Sequence, residues 1–194
     1  GVFDLSFLRF IPNLVIMAPK DENELQHMLK TAVHHNGPVA IRYPRGSGEG
    51  ADLDPELRKL PIGEGEVLRE GGDVLILPVG NRVYPALAAA EGLKKLGIEA
   101  AVINPRFIKP LDRELITIWA EKTGRVVTVE DNVKKGGFGS AVLQLLAEVH
   151  LRIPVRLLGY GNTFLEHAPQ DVLWKNNGLD PSGIIKATLE VLKQ

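Results

Sequence analysis

Cysteine is absent from this chain of 194 residues, and its absence excludes several kinds of site. Without thiols the chain has no disulfide framework, no thiolate nucleophile and no cysteine-based zinc site. A chain without disulfides also suits a reducing compartment. We therefore expect a cytoplasmic protein with an ordinary apolar core, since 44% of the residues are hydrophobic.

The sequence also lacks a long apolar run and an excess of charge of either sign. No run approaches the roughly 20 residues that a membrane-spanning helix needs. The 23 basic and 24 acidic residues are interspersed and leave a net charge of −1, so no broad field exists to attract a polyanion. We expect neither nucleic acid nor a membrane among the partners.

Signals for metal binding and for nucleophilic catalysis are missing as well. The five histidines include one adjacent pair, His34 and His35. Adjacent residues of a helix point to different sides, so this pair does not chelate one ion. No G-x-S-x-G motif occurs, which excludes a serine nucleophile on a strand-to-helix elbow. The sequence therefore predicts no metal site and no hydrolase chemistry.

Two segments lie near the end of a predicted buried strand and invite a functional interpretation. Glu130-Asp131-Asn132 ends the strand where open parallel sheets bind ligands, and Gly136 to Gly139 leads into a helix whose N-terminus can meet an anion. The glycines match neither a dinucleotide fingerprint nor a P-loop. With no partner base in view, capping and interface hydrogen bonds are favoured over catalysis for the first segment, and close packing over ligand binding for the glycines.

Apolar periodicity predicts two α/β units joined by a linker. Residues 13–18 form a short apolar strand, a helix begins at Asp21 with Glu24 completing a capping box, and residues 39–43 form a second strand. Glycine, proline and charge then dominate residues 45–61, as is typical of a linker. The predicted boundaries are 1–46 for the first domain, 47–61 for the linker and 62–194 for the second domain.

The second domain is predicted to alternate strands with helices over a buried, mainly parallel sheet. Its strands are expected at 62–69 (an edge), 73–79, 99–103, 125–129 and 155–158, and its helices at 83–96, at 112–122, after Gly139 and from Pro181. The buried helix faces are predicted to include Leu25, Met28, Leu29, Ala32 and Val33 in the first domain, and Ala86, Ala89, Ala90, Leu93 and Leu96 in the second.

The run from Ala40 to Gly46 carries the strongest local signal. A short apolar strand delivers Arg42 and Arg45 into a turn that contains Pro44. The guanidinium group presents a planar fork of donors that matches phosphate oxygens, so the turn suits a phosphate-binding site. The residues alone leave a second interpretation open, in which both arginines pair with carboxylates at a domain edge.

Several motifs resemble those of the transketolase-like thiamine diphosphate enzymes. The segments that carry the resemblance are GVFDLSFLRFIPNLVIMAPKDENEL, GPVAIRYPRG, INPRFIKPLD, VVTVEDN and GGFGSAV. They cover essentially the whole chain. The resemblance implies an α/β fold made of the incomplete C-terminal part of a pyrimidine-binding domain (1–46), followed by a complete transketolase C-terminal-like domain (62–194) with a mixed, mainly parallel sheet.

Within that family the first two segments are similar to the synthases that condense pyruvate with glyceraldehyde 3-phosphate and release carbon dioxide. The resemblance implies a transferase of isoprenoid, thiamine and pyridoxal precursor synthesis that uses thiamine diphosphate and Mg²⁺ and forms a homodimer. It implies that Arg45 binds the phosphate of glyceraldehyde 3-phosphate, with Arg42 as a possible second ligand. No catalytic, cofactor-binding or metal-binding residue of the family falls on this chain.

The chain opens at Gly1, inside a compact apolar and aromatic segment, so we expect a fragment that is inactive by itself and binds no cofactor. Two alternatives stay open at this point. The chain could belong to another transketolase-like enzyme, either a transketolase or a 2-oxo acid dehydrogenase β subunit. It could also be a dimerisation module without catalysis.

Overall fold

The computed structural model describes residues 2–194; Gly1, with which the predicted first domain begins, lies outside the described residues. The elements follow one another as helices and strands with a single 3₁₀ turn at Gly80–Arg82. In chain order they are α1 (Asp4–Leu8), β1 (Val15–Met17), α2 (Glu22–His34), β2 (Val39–Ile41), β3 (Glu66–Arg69), β4 (Val74–Pro78), α3 (Val83–Lys94), β5 (Ala100–Asn104), β6 (Phe107–Lys109), α4 (Arg113–Thr123), β7 (Val126–Val133), α5 (Phe138–Glu148), β8 (Val155–Tyr160), α6 (Gln170–Asn176) and α7 (Pro181–Val191).

A small sheet of order β2-β1-β6 contains strands from both sides of the linker. β1 and β2 run parallel, with Val15 opposite Val39, and α2 connects them, as the strand, helix, strand pattern predicts. β6 then pairs antiparallel with β1, which it reaches from the second unit. The two units are therefore joined by backbone hydrogen bonds as well as by side chains.

The larger sheet has the order β3-β5-β4-β7-β8. β3 is antiparallel to β5 at one edge, and the remaining neighbours are parallel. This arrangement confirms the predicted mixed, mainly parallel sheet and the edge position of the first strand. β4, β5 and β7 are buried along their whole length. Burial on both faces explains the apolar runs of β4 and of residues 100–103 in β5, whereas β7 also buries the polar segment Glu130-Asp131-Asn132.

Helices cover both faces of the larger sheet. Residues of α4 and α5 pack with one set of strand side chains in a core that also includes Leu5, Ile16 and Ala18 of the first unit. Residues of α3 and α7 pack on the other face. Because the first core continues from the large sheet into β1 and α1, burial of apolar surface also holds the two units together.

The predicted helix caps are present. Asp21 accepts a hydrogen bond from the backbone N–H of Glu24 at 2.7 Å, and Asp112 accepts one from Leu115 at 3.0 Å. Asp180 caps α7 in the same way, with Pro181 at the first helical position. Each cap satisfies a backbone donor that the first helical turn leaves unpaired.

Two predicted helix faces differ from the structure. In α2 the buried residues are Glu24, His27, Met28 and Thr31, whereas Leu29 and Val33 are exposed. In α3, Leu93 is buried but Leu96 is 60% exposed, because the helix ends at Lys94 before the periodicity does. The apolar periodicity of the sequence also did not predict α1, β6 or α6.

Candidate functional site

The turn between residues 42 and 46 lies at the carboxyl end of β2. The backbone N–H of Arg42 donates to the carbonyl of Met17 at 2.8 Å, which continues the pairing of β1 with β2 to this point. The chain then turns through Pro44, whose ring fixes its φ angle. The turn is therefore mounted on the end of two parallel strands, where α/β sheets commonly place ligand sites.

Arg42 is engaged by carboxylates of the protein. One of its Nη atoms donates to the backbone carbonyl of Asp131 at 2.6 Å and lies 3.5 Å from a carboxylate oxygen of the same residue. Its Nε lies 3.6 Å from Asp4, and its side chain is only 11% exposed. The domain-edge ion pair that the sequence leaves open therefore describes Arg42.

Arg45 has the opposite surroundings. Its side chain is exposed, and no side chain in residues 2–194 pairs with its guanidinium group. Its neighbours Pro44 and Gly46 line a cavity of about 260 Å³, whose other walls come from residues 19–22 and Leu25 around the start of α2, from Tyr43, from residues 47–49 and from Asn81. An unpaired guanidinium beside a cavity is available to bind an anion from solution.

Glu22, in the first turn of α2, holds the chain that follows the turn. Its carboxylate accepts hydrogen bonds from the backbone N–H groups of Glu49 at 3.0 Å and Gly50 at 2.7 Å. Hydrogen bonds from its own backbone N–H and from that of Gly50 lower the pKa of Glu22. The carboxylate stays ionised and fixes the far end of the segment that carries Arg45.

Asp131, in β7, is the centre of a buried hydrogen-bond network. Besides Arg42 it accepts hydrogen bonds from Tyr160 Oη at 2.6 Å, from Trp174 Nε1 at 3.2 Å and from Asn81 Nδ2 at 3.2 Å. Burial, and then the bond to Asp131, raise the pKa of Tyr160. One carboxylate thus ties together β7, β8, α6, the 3₁₀ turn and the end of β2.

Arg82 lies beside this network and is buried. Its guanidinium carbon sits 3.6 Å from the ring centre of Trp174, and one of its Nη atoms donates to the carbonyl of Leu179 at 3.2 Å. Burial lowers the pKa of Arg82 to about 10, against the attraction of Asp131. Stacked and buried in this way, Arg82 fixes α6 against the sheet and is not exposed to a ligand.

Glu130 and the glycine turn satisfy each other. The carboxylate of Glu130 accepts the backbone N–H groups of Phe138 and Gly139, each at 2.8 Å, at the start of α5. A Cβ at Gly139 would lie 2.6 Å from Thr128 Oγ1, so the close approach requires glycine. The helix N-terminus is thus occupied by a carboxylate of the protein, and close packing accounts for the glycines.

The surroundings of Glu130 also shift its pKa. Burial raises its pKa to about 7, although the backbone N–H bonds and the nearby Arg9 act in the other direction. Arg9 donates to the carbonyls of Gly136 and Gly137, both at 2.6 Å, and so attaches α1 to the same turn.

A second polar cluster, which the sequence analysis did not identify, joins α2 to the chain before β6. Buried Glu24 accepts hydrogen bonds from Asn104 Nδ2 at 2.8 Å and from Arg106 Nε at 2.9 Å. Lys20 and Arg106 both pair with Glu66 as well, at 3.1 and 3.0 Å. The sequence identifies Glu24 as a capping-box residue, but nothing near it in the sequence indicates its distant partners Asn104 and Arg106.

The histidines take structural positions. Buried His27 lies 2.9 Å from Asp54 through Nε2, while its Nδ1 accepts the backbone N–H of Arg58 at 3.0 Å, so it ties the linker to α2.

Within the described part of the chain, no three histidine, aspartate or glutamate side chains are grouped so that they could hold a metal ion. No helix among those residues is long and apolar enough to cross a membrane.

Comparison with known families assigns both units. Residues 63–184 match the family described as "Transketolase, C-terminal domain", and residues 1–49 match "Transketolase, pyrimidine binding domain". The chain therefore belongs to the transketolase family, and the resemblance predicted from its motifs is confirmed. The α/β fold with its mixed sheet agrees with this assignment.

Curated relatives narrow the similarity to one kind of enzyme. The chain is 60% identical over 198 residues to 1-deoxy-D-xylulose-5-phosphate synthase of Desulfotalea psychrophila, covering 100% of this chain and 31% of that protein. It is 56% identical to 1-deoxy-D-xylulose-5-phosphate synthase 1 of Geobacter sulfurreducens, covering 97% of this chain and 30% of that protein. The chain thus spans about a third of the length of these relatives.

Among solved structures, the chain is similar to one described as a split gene transketolase, inactive beta4 tetramer. The TM-score is 0.89 at 36% identity, and the match covers 100% of this chain and 62% of the other. At that level of identity and coverage, the similarity supports the whole arrangement of the two units.

Proposed function

We propose that this chain is part of a 1-deoxy-D-xylulose-5-phosphate synthase, a transferase that condenses pyruvate with glyceraldehyde 3-phosphate and releases carbon dioxide. The curated relatives at 52% to 60% identity carry this name and match the chain over 95% or more of its length. The identity of 36% to a split gene transketolase is lower. These two values favour the synthase over a transketolase.

The role of this chain in that reaction is to bind the acceptor phosphate through Arg45. The observation that carries the proposal is the contrast between two arginines of one turn, since Arg42 is held by Asp4 and Asp131 while Arg45 is exposed beside a cavity. A guanidinium group bound to phosphate supplies binding energy and orients the substrate, but it makes and breaks no bond.

The described residues do not offer a site for the metal of such an enzyme. They hold no group of acidic or histidine side chains suited to Mg²⁺. Thiamine diphosphate supplies a carbanion-stabilising ring when bound to such enzymes, and we propose that residues outside this chain hold it. The proposal therefore assigns no chemical step to residues 2–194.

Three further statements belong to the same proposal. The complete enzyme is a cytoplasmic homodimer, and residues 1–46, 47–61 and 62–194 are its pyrimidine-binding end, linker and C-terminal domain. This chain alone has no synthase activity. The solved relative described as an inactive tetramer of one subunit of a split gene enzyme supports the last point.

Exchange of Arg45→Ala in the complete enzyme tests the phosphate role. Loss of a charge-assisted contact to phosphate is expected to raise the KM for glyceraldehyde 3-phosphate by about tenfold or more. The KM for glyceraldehyde, which has no phosphate, should stay unchanged. Arg113→Ala is the matched control, because Arg113 is an exposed arginine that pairs with Glu148 on the outside of α4. An unchanged KM for the phosphorylated acceptor would contradict the proposal.

Two measurements separate the alternatives. A complete enzyme that accepts a ketose phosphate as donor, and not pyruvate, would be a transketolase. Sedimentation of this chain tests whether it is a dimerisation module, and calorimetry tests whether it binds thiamine diphosphate. Tight binding of thiamine diphosphate by this chain would contradict the statement that its site lies elsewhere.

A further inference from the structure

We infer that Asp131 is a positioning residue for the acceptor phosphate: by holding Arg42, the C-terminal unit sets where the turn presents Arg45. This inference rests on the proposed function of Arg45. Asp131 lies in β7 and touches no substrate, but in this way it influences which acceptor the enzyme prefers.

The contact from Asp131 to the turn uses two groups of one residue. Its backbone carbonyl accepts from Arg42 Nη2 at 2.6 Å, and its carboxylate lies 3.5 Å from the same atom. Both side chains are nearly buried, at 11% exposed for Arg42 and 8% for Asp131. Few water molecules can reach this pair, so its electrostatic attraction is screened less than that of an exposed pair.

The carboxylate is itself fixed from the other side. Tyr160 and Trp174 donate to one of its oxygens, at 2.6 and 3.2 Å, and Asn81 donates to the other at 3.2 Å. A carboxylate with three such donors has little freedom to rotate. The position of the guanidinium of Arg42 is therefore set by the larger sheet together with Asp4 of α1.

The link from Arg42 to Arg45 is short and stiff. The backbone N–H of Arg42 is bonded to Met17, and its side chain is bonded to Asp131, so Arg42 is held at both ends. Pro44 restricts its own φ angle and the conformation of Tyr43. With two restricted residues between them, a shift of Arg42 is transmitted to Arg45.

Helix α6 lies against the same turn. A Cβ built at Gly46 would be 3.8 Å from Gln170 Oε1, in the first turn of α6, and Trp174 of α6 donates to Asp131. Asp131 thus holds the turn and the helix beside it together. Loss of its charge should loosen both sides of the exposed guanidinium at once.

The test compares two neighbouring buried carboxylates of β7 in the complete enzyme. Asp131→Asn removes one of the two carboxylate charges that face Arg42, and Asp4 keeps the other. The matched control Glu130→Gln removes a buried charge that faces α5 instead. The readout is the ratio of kcat/KM for glyceraldehyde 3-phosphate to that for glyceraldehyde, together with inhibition by inorganic phosphate.

For Asp131→Asn we expect the ratio to fall by about tenfold, through the KM of the phosphorylated acceptor and with little change in kcat, and inorganic phosphate to inhibit more weakly. Glu130→Gln should leave the ratio unchanged. Equal ratios in the wild-type enzyme and Asp131→Asn would overturn the inference. So would an equal fall in both variants, which would show only that buried charges on β7 stabilise the fold.

Arg42→Lys provides the same test if Asp131→Asn does not fold. Lysine keeps the charge but lacks the planar fork whose Nη2 meets Asp131 while its Nε faces Asp4, so the ratio should fall here too, and an unchanged ratio would overturn the inference. Arg45→Ala separates the two levels of the proposal. If Arg45→Ala lowers the ratio and the Asp131 and Arg42 variants do not, only the inference fails; if Arg45→Ala leaves the ratio unchanged, the phosphate role itself fails.

Discussion

Arg106 Nε donates to the carboxylate of Glu24 at 2.9 Å, and this bond connects α2 of the small unit to the residue just before β6, the strand that the C-terminal unit adds to the small sheet. The same carboxylate accepts from Asn104 at 2.8 Å and from the backbone N–H of Lys20 at 2.7 Å. Glu24 is only 3% exposed. The junction of the two units therefore depends on one buried acid whose donors come from three residues.

Removal of that acid should be costly. Glu24→Ala breaks the pair with half-buried Arg106, which keeps only Glu66 as a carboxylate partner, and leaves Asn104 Nδ2 without its acceptor. Breaking a buried pair by removing one partner typically costs about 3 to 5 kcal/mol, and we expect a loss in this range by urea unfolding. Glu121→Ala is the control, because Glu121 is an exposed glutamate on α4, and its effect should stay within about 0.5 kcal/mol. Similar losses in the two variants would contradict the junction role of Glu24.

Glu130 predicts a dependence of stability on pH. Its pKa is raised from 4.5 to about 7, so between these values the folded protein binds more protons than the unfolded one. Stability from this group is therefore fully present below pH 4.5 and is lost as pH rises toward 7. The loss amounts to about 3 kcal/mol for a single group. Urea midpoints at pH 5 and pH 8 measure it.

Glu130→Gln isolates this contribution from those of the other titratable groups. The variant has no proton to lose at this position, so its stability should fall less than that of the wild-type protein between pH 5 and pH 8. A difference between the two proteins that is independent of pH would show that Arg9 and the two backbone N–H groups outweigh burial. The carboxylate would then be ionised throughout.

The strands and caps could be predicted because their signals are local. β4, residues 100–103 of β5 and the first residues of β7 form apolar runs, and Asp21, Asp112 and Asp180 each stand directly before a helical pattern. β6 has no such signal, since its three residues become a strand only by pairing with β1. α1 likewise depends on contacts of Ser6 and Arg9 with residues more than 120 positions away.

The candidate site shows the same division. Proximity in sequence identifies the two arginines of the turn, but their different surroundings depend on Asp131, which lies 89 positions after Arg42. Nothing in the local sequence indicates which arginine is paired and which is exposed. The acidic segment of β7 was correctly expected to make interface bonds, but its partners across the domain boundary required the fold.

The helical pattern predicts that Leu93 and Leu96 are both buried, whereas the structure buries only Leu93, and a comparison of the two leucines tests this difference. Both leucines fit the predicted inner face of the same helix, but Leu93 is fully buried in the core shared by α3 and α7, while Leu96 follows the end of α3 and is 60% exposed. Leu93→Ala removes buried methyl groups and leaves a cavity, so we expect a loss of about 2 to 5 kcal/mol. Leu96→Ala should change stability by about 0.5 kcal/mol or less.

Equilibrium urea unfolding of the two variants under one set of conditions gives the comparison directly. Both exchanges remove the same atoms from the same residue type, so the difference between them reports mainly the burial of the two side chains. A large loss for Leu96→Ala would mean that α3 continues beyond Lys94 and that the periodicity, not the observed helix end, describes the packing. A small loss of stability for Leu93→Ala would contradict close packing between α3 and α7, because a cavity destabilises a closely packed core.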